Sequence, residues 1–258
     1  MTIASPARRI RLFGIEIDVV RLKEAVSQLR AWTAAVDGRC RYVVTPNVDH
    51  AVLYQQRADL RDAYAGAALV VADGAPLVAA SRLLRKPLPE RVAGSDLVPA
   101  LFDSVQPGES LRVFLLGAEP GVGEKAAEQI AQRWPAVTVV GTCSPPLGFE
   151  KDAAENDRIV GKINAAVPDV LIVGLGAPKQ ELWIHRHGER ISAPVAICAG
   201  ATIDFLAGHR RRSPRWMRKT GLEWLHRMAS EPRRLAGRYA RDAWVFPRLV
   251  WREFRGWE

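Results

Sequence analysis

Six short apolar runs limit what this chain can fold into more than any other feature: RYVVTPN (41–47), LVVADG (69–74), LRVFLLGA (111–118), VTVVGT (137–142), VLIVGLGAP (170–178) and PVAICAGA (194–201). None of them alternates apolar with polar residues. A strand that is apolar at consecutive positions buries both faces, which is the habit of parallel sheets with helices on either side. The stretches between most of the runs read as helices. SDLVPALFDSV opens with Ser95 as its expected N-cap, and PGVGEKAAEQIAQRW has Pro120 near its start and an alanine-rich interior. Near the amino terminus, IRLFGIEIDVV reads as a hairpin or edge strand ahead of a helix from Arg21 to about Val36. The expected fold is therefore α/β: a Rossmann-like, mostly parallel sheet flanked by helices. A chain of 258 residues, 48% hydrophobic, is long enough to fill such a core.

The net charge of +9 is not spread over that sheet. Residues 1–208 hold 23 Lys and Arg against 23 Asp and Glu, so the remaining 14 of 37 basic and 5 of 28 acidic residues fall in 209–258. Five of the eight tryptophans, Trp216, Trp224, Trp244, Trp251 and Trp257, are there too. Such a shift predicts an α/β core over 1–208 and a basic, helical C-terminal appendage over 209–258. No run of about 18 apolar residues occurs. The start MTIASPARRI lacks the apolar segment of a secretory signal, so a cytoplasmic location is expected. Cys40, Cys143 and Cys198 are scattered, which favours reduced thiols over a zinc site or a disulfide framework. His185 and His187 stand two apart in an expected helix and so do not share a face, which disfavours a metal pair. No D-x-D pair is present to hold a nucleotide-bound cation. Metal-independent chemistry with no cofactor is the expectation.

In open α/β sheets ligands bind beyond the carboxyl ends of the strands. The residues that end these runs are Thr45-Pro46-Asn47, Asp73-Gly74, Gly117-Ala118, Gly176 to Glu181, and Gly200 to Asp204. GAEPGVGEKA (117–126) joins a strand to a helix, and its backbone N–H groups, starting at Gly117, could cradle a diphosphate. It has neither the Walker A ending nor the dinucleotide glycine spacing, and plain turn chemistry accounts for it equally well. Asp73 reads either as a turn residue capping the next helix or as a general base with Gly74 and Pro76 clearing room for a substrate hydroxyl. Arg91 and Asp96 read as a surface ion pair or as part of a phosphate site.

Taken together, TPN at 45, ADG at 72, RVAGSD at 91, LLGAEPGVGEKA at 115, LGAPKQE at 175, GATIDFLAG at 200 and GLEWLHRMASEPRRLAGRY at 221 resemble the WecG/TagA/CpsF family of bacterial glycosyltransferases, also called glycosyltransferase family 26. The resemblance runs from about Ile10 to about Tyr239 and implies sugar transfer from a UDP-sugar to a polyprenyl-diphosphate-linked saccharide at the inner membrane face. It further implies inversion at the anomeric carbon without a metal. By position, Asp73 matches the family's proposed general base, with Thr45 and Asn47 beside it. Arg91 matches an arginine on the donor or its diphosphate, and Gln180 and Asp204 match residues of the nucleotide-sugar pocket. Arg227, Arg234 and Arg238 fall near arginines that close over the site and neutralise the leaving diphosphate, while Gly237 stands where relatives often carry another basic residue. The donor commonly carries N-acetylmannosamine or its uronic acid. No motif here separates these from glucose, which would suit an exopolysaccharide.

The tail interleaves Trp, Leu and Arg as a helix at a membrane interface does. An anionic cytoplasmic membrane surface is therefore an expected partner, with peripheral attachment at its inner face. A helical subdomain packed on the body is the plainer alternative. Nucleic-acid binding by the tail would leave the polar sheet edge unexplained. A nicotinamide-dependent oxidoreductase would need the glycine fingerprint that the chain lacks. Self-association is left open.

Overall fold

The computed structural model describes residues 8–210, 212–214, 216–217, 223–230 and 232–256, without the side chains of Arg227, Pro232 and Arg234. An antiparallel hairpin, β1 (Arg9–Leu12) and β2 (Ile15–Asp18), comes first. Each apolar run then supplies one strand: β3 (Arg41–Val44), β4 (Leu69–Val70), β5 (Leu111–Gly117), β6 (Val137–Cys143), β7 (Val170–Gly174) and β8 (Val195–Cys198). They form one sheet in the order β4-β3-β8-β7-β5-β6, and every neighbouring pair is parallel. Parallel neighbours need long crossovers. After α1 (Leu22–Thr33), which joins the hairpin to β3, helices supply them: α2 (Val48–Gln56), α3 (Ala58–Ala65), α4 (Ala75–Leu83), α5 (Gly94–Asp103), α6 (Val122–Arg133), α7 (Ala153–Ala166) and α8 (Lys179–His187), with α9 (Thr202–Leu206) following β8.

Consecutive burial along the strands serves two cores, because successive side chains point to opposite faces. Tyr42, Val44, Leu171 and Val173 join the hairpin, α2, α3, α4, α7 and α8 on one face. Val43, Val170, Ile172 and Ile197 join α1, α5, α6 and α9 on the other. The short edge strand β4 is covered by the hairpin rather than left open. Buried Asp18 accepts from the Val70 N–H at 2.8 Å and from Arg9 Nε at 2.9 Å, which ties the hairpin to that edge. One helix start differs from the sequence reading. The N-cap of α5 is Ala93, and Ser95 lies inside the first turn, where its Oγ accepts from Arg212 Nη2 at 2.9 Å.

Two further helices, Glu223–Ser230 and Pro232–Phe254, belong to the basic tail. The longer one packs against α2 and the hairpin turn. Phe246 meets Phe13 edge-on with ring centroids 5.2 Å apart, and Leu249 is buried. Glu253 accepts from Lys86 Nζ at 2.9 Å and from the Phe13 N–H at 2.5 Å. Its opposite side leaves Trp244, Trp251 and Phe254 more than half exposed. Arg248 lies over Trp244 at 3.6 Å and Arg255 over Trp251 at 4.5 Å, so both exposed indoles are paired with guanidinium groups. Among the described residues no helix is long and apolar enough to cross a membrane.

Candidate active site

Because all six strands run the same way, their carboxyl ends share one edge, and a cavity of about 640 Å³ opens there beneath the tail. Thr45, Asn47, Asp73, Arg91, Gly117, Gln180 and Asp204 all line it, and Arg238 lines it from the tail helix. Arg227 and Arg234 lie on the two tail helices, but their side chains fall outside the described residues.

Asp73 follows β4 and is held by its own backbone, whose N–H donates to Pro46 O at 2.7 Å. The N-cap of α4 is Gly74, at φ +111°, so Asp73 stands one residue ahead of the cap with its carboxylate on the cavity wall. Arg91 approaches Asp73 Oδ1 with Nη1 at 3.5 Å. The same nitrogen lies 3.2 Å from Glu223 Oε2 of the tail, and Nη2 lies 2.5 Å from Asp96 Oδ2. Asp96 in turn binds Arg212. Arg91 therefore carries three carboxylates and is no simple surface pair. Its fork reaches toward Asp73 and links the tail to the body at the site through Glu223.

Thr45 is buried and donates to Cys198 O at 3.1 Å, joining β3 to β8. Asn47 caps α2: its Oδ1 accepts from the His50 N–H at 3.3 Å and lies 2.9 Å from His50 Nδ1. Gln180 lines the cavity and also braces its wall. Its Oε1 accepts from the Gly200 N–H at 3.1 Å, and its Nε2 donates to Glu181 Oε1 at 2.7 Å, which binds the start of α8 to the turn before α9. Asp204 stands 3.4 Å from Arg210 Nε.

The glycine-rich loop divides into two parts. Gly117, Ala118 and Glu119 line the cavity. Gly117 has φ +114°, and a Cβ there would lie 2.5 Å from the Gly174 carbonyl, so only glycine lets β5 pass so close to β7. Gly123 instead packs on Thr142, where a Cβ would meet that side chain at 3.1 Å. The second half of the loop is thus turn and packing chemistry, and only its first residues reach the space a ligand would use.

Two buried charged clusters lay beyond the sequence reading. In one, the His50 ring sits between Asn47 and Glu181, with Nε2 3.2 Å from Glu181 Oε1. Burial alone pulls the imidazole down. The Glu181 carboxylate, by charge and hydrogen bond, together with Asp49 and Asp73, overrides this and holds His50 above the ordinary histidine range. In the other cluster, Asp49 at the start of α2 pairs with Arg241 and lies 3.5 Å from Arg238 Nη1. Burial, with Asp49 close by, holds the neighbouring Asp242 above the usual carboxylate range. Arg238 Nε is buried and has no hydrogen-bond partner among the described residues. The only sequence signal for these groups was their adjacency to quoted motifs: Asp49 and His50 follow TPN, Glu181 ends KQE, and Glu223 sits in GLEW. His185 and His187 serve separate structural contacts, the first with Tyr42 OH at 3.0 Å and the second against the Trp183 ring.

The chain matches the model of the "Glycosyl transferase WecG/TagA/CpsF family" over residues 10–258. It is also similar to curated proteins named N-acetylglucosaminyldiphosphoundecaprenol N-acetyl-beta-D-mannosaminyltransferase. The one from Staphylococcus aureus strain MRSA252 is 29% identical over 234 residues, covering 90% of this chain and 88% of that protein. The one from strain MW2 is 28% identical over the same shares.

Proposed function

The chain belongs to the WecG/TagA/CpsF family of glycosyl transferases, and from that premise we propose that it moves a hexosyl group, N-acetylmannosaminyl before glucosyl, from a UDP-sugar to a polyprenyl-diphosphate-linked saccharide with inversion. The S. aureus relatives are named for an undecaprenol-diphosphate acceptor and an N-acetylmannosaminyl product, which supports both the acceptor class and the sugar. The observation that carries the reading is the placement of Asp73: a carboxylate on the wall of a cavity of about 640 Å³, approached by Arg91 and overhung by a basic tail.

In the proposed reaction the acceptor hydroxyl gives its proton to Asp73 as its oxygen attacks the donor's anomeric carbon. The bond from that carbon to the diphosphate oxygen breaks on the opposite face, and UDP leaves with the electron pair. Negative charge then grows on the leaving phosphate, and a preorganised cation near it is worth on the order of 3 kcal/mol in the transition state. Arg238 suits that task better than Arg91. Arg91 is already occupied by three carboxylates, whereas Arg238 reaches the cavity with Nε unpartnered among the described residues, a 3.5 Å contact to Asp49 and the Tyr239 ring 5.4 Å away.

The division after Gly208 into a neutral core and a basic appendage is part of the same proposal, as is docking on the inner membrane face. The outward Trp244, Trp251 and Phe254, with Arg248 and Arg255 beside the indoles, form a face suited to an anionic lipid surface. Transfer assayed with a panel of UDP-sugars on a short-chain lipid acceptor tests the reading. Turnover with UDP-N-acetylmannosamine and an inverted product is expected, and absence of turnover with every UDP-sugar would sink it.

A further inference from the structure

We propose that His50 is a positioning residue: clamped between Glu181 and Asn47 with a proton on each ring nitrogen, it fixes the Asn47 amide so that its NH2 group faces the sugar-binding space. This rests on the transferase reading for the identity of the occupant, but the geometry does not depend on it.

The backbone N–H of His50 can only donate, and it points to Asn47 Oδ1 at 3.3 Å, so the oxygen end of that amide is turned toward the ring. His50 Nδ1 lies 2.9 Å from the same oxygen. Two lone pairs at that distance would repel, so Nδ1 carries hydrogen and donates. The competing contact, in which the backbone N–H of Asn47 would donate to Nδ1, is longer at 3.4 Å. On the other side Nε2 lies 3.2 Å from Glu181 Oε1, an oxygen that already accepts from Gln180 Nε2. Nε2 must donate as well. Glu181 is wholly buried, and its Oε2 has no hydrogen-bond partner among the described residues, so the ring is the cation that makes this carboxylate tolerable.

The charged and titratable groups facing the ring from its surroundings are Glu181 on α8, Asp49 on its own helix and Asp73 on the loop after β4. Tyr64 of α3 adds a ring contact at 6.3 Å. Arg241 and Arg238 of the tail reach Asp49. With its oxygen held by two donors, Asn47 has only Nδ2 left for the cavity. A substrate atom that can only accept, such as an acetamido carbonyl or a phosphate oxygen, is matched by that group. If the ring loses one proton it can satisfy Asn47 or Glu181 but not both, and the amide is no longer held in one sense.

The test has an arm that needs no turnover. In nitrogen-15 spectra of the full chain, His50 is assigned by the signals that vanish in His50→Gln. Both of its ring nitrogens are expected to stay protonated to a higher pH than those of a histidine of ordinary pKa. A ring that titrates with the other histidines overturns the proposal. In the second arm, His50→Gln and Glu181→Gln are each expected to raise the donor or acceptor KM by about tenfold, with a smaller effect on kcat. They should also remove the rise in KM that the parent protein shows as His50 loses its proton. Asn47→Asp should raise KM similarly, and His50→Gln added to it should cost little more. An unchanged KM and pH profile in a folded His50→Gln protein would overturn the positioning role. A chain that uses no UDP-sugar yet shows the doubly protonated ring would overturn the transferase reading and leave the clamp standing.

Discussion

Replacing Arg91 by lysine separates the fork geometry of the guanidinium from its charge. Arginine reaches Asp96 with one nitrogen, at 2.5 Å, and shares the other between Glu223 at 3.2 Å and Asp73 at 3.5 Å. A lysine ammonium is a single point and can keep one of these contacts, of which Asp96 is the shortest. Arg91 is 18% exposed, so screening trims the loss without abolishing it. A hydrogen bond to a charged group in such a place is worth about 1.5–3 kcal/mol, and the 3.5 Å contact to Asp73 lies at the outer limit of a hydrogen bond and counts for less. The two lost contacts thus come to about 2–3 kcal/mol. For a chain of this size, that corresponds to a fall in Tm of roughly 4–12 °C. Turnover should suffer more than stability. Asp73 and Glu223 would face each other without the cation between them, and misplacing a reacting group by about 1 Å can cost about a hundredfold. Calorimetric unfolding and the rate of lipid-linked product formation measure the two effects. Adding Glu223→Gln to the lysine variant should cost little further, because the contact it removes is already gone. A lysine variant within about 2 °C and twofold of the parent would refute the role given to the fork.

Asp73→Asn keeps the shape of the side chain but cannot take a proton. Turnover is expected to fall by about 10²–10⁴ while UDP binding and Tm hold, and calorimetric titration with UDP beside the rate assay checks this. Gly117→Ala places a methyl 2.5 Å from the Gly174 backbone at φ +114°, so a loss of about 3 kcal/mol should appear in denaturant unfolding. Trp244→Ala with Trp251→Ala removes two outward rings that are 69% and 57% exposed. Sedimentation with anionic liposomes should weaken while Tm stays put; undiminished binding would exclude that face as the docking surface. His50 is held above the ordinary histidine value of about 6.5 in the folded chain. The stability it contributes is complete below that value and fades as pH rises through the raised folded value. His50→Gln should flatten that decline in urea-unfolding free energy measured across the same pH range.

Much of the fold was legible because its signals are local. Six continuous apolar runs became six strands, and the positions that ended them became one edge. The cap reading of Asp73 failed by a single residue of register: Gly74 takes the N-cap position, and the Asp73 carboxylate is left on the cavity wall. Ser95 shows the opposite outcome, since a favoured capping residue was displaced into the first turn, where it serves a tertiary contact with Arg212. Gln180, picked out by its place in LGAPKQE, lines the cavity and also ties the start of α8 to the turn before α9 through both ends of its amide. His50 and Glu181 escaped notice because a lone histidine and a lone glutamate carry no periodicity, and their pairing joins positions 131 residues apart.

By itself the sequence determined a two-faced parallel sheet, the edge on which polar groups gather and the concentration of positive charge in the last fifty residues. These follow from side-chain alternation, strand polarity and composition, each readable within a few residues or by counting. Tertiary structure alone decided who meets whom. The insertion of β8 between β3 and β7 brings α8 and the turn before α9 against the TPN segment, and so creates the Asn47, His50 and Glu181 clamp. The tail's composition allowed either packing on the body or facing a membrane. The folded helix buries Leu249 and packs Phe246 against the body while leaving Trp244 and Trp251 outside. Such outcomes depend on strand order and helix rotation, which are settled by the sum of many long-range contacts and not by any local pattern.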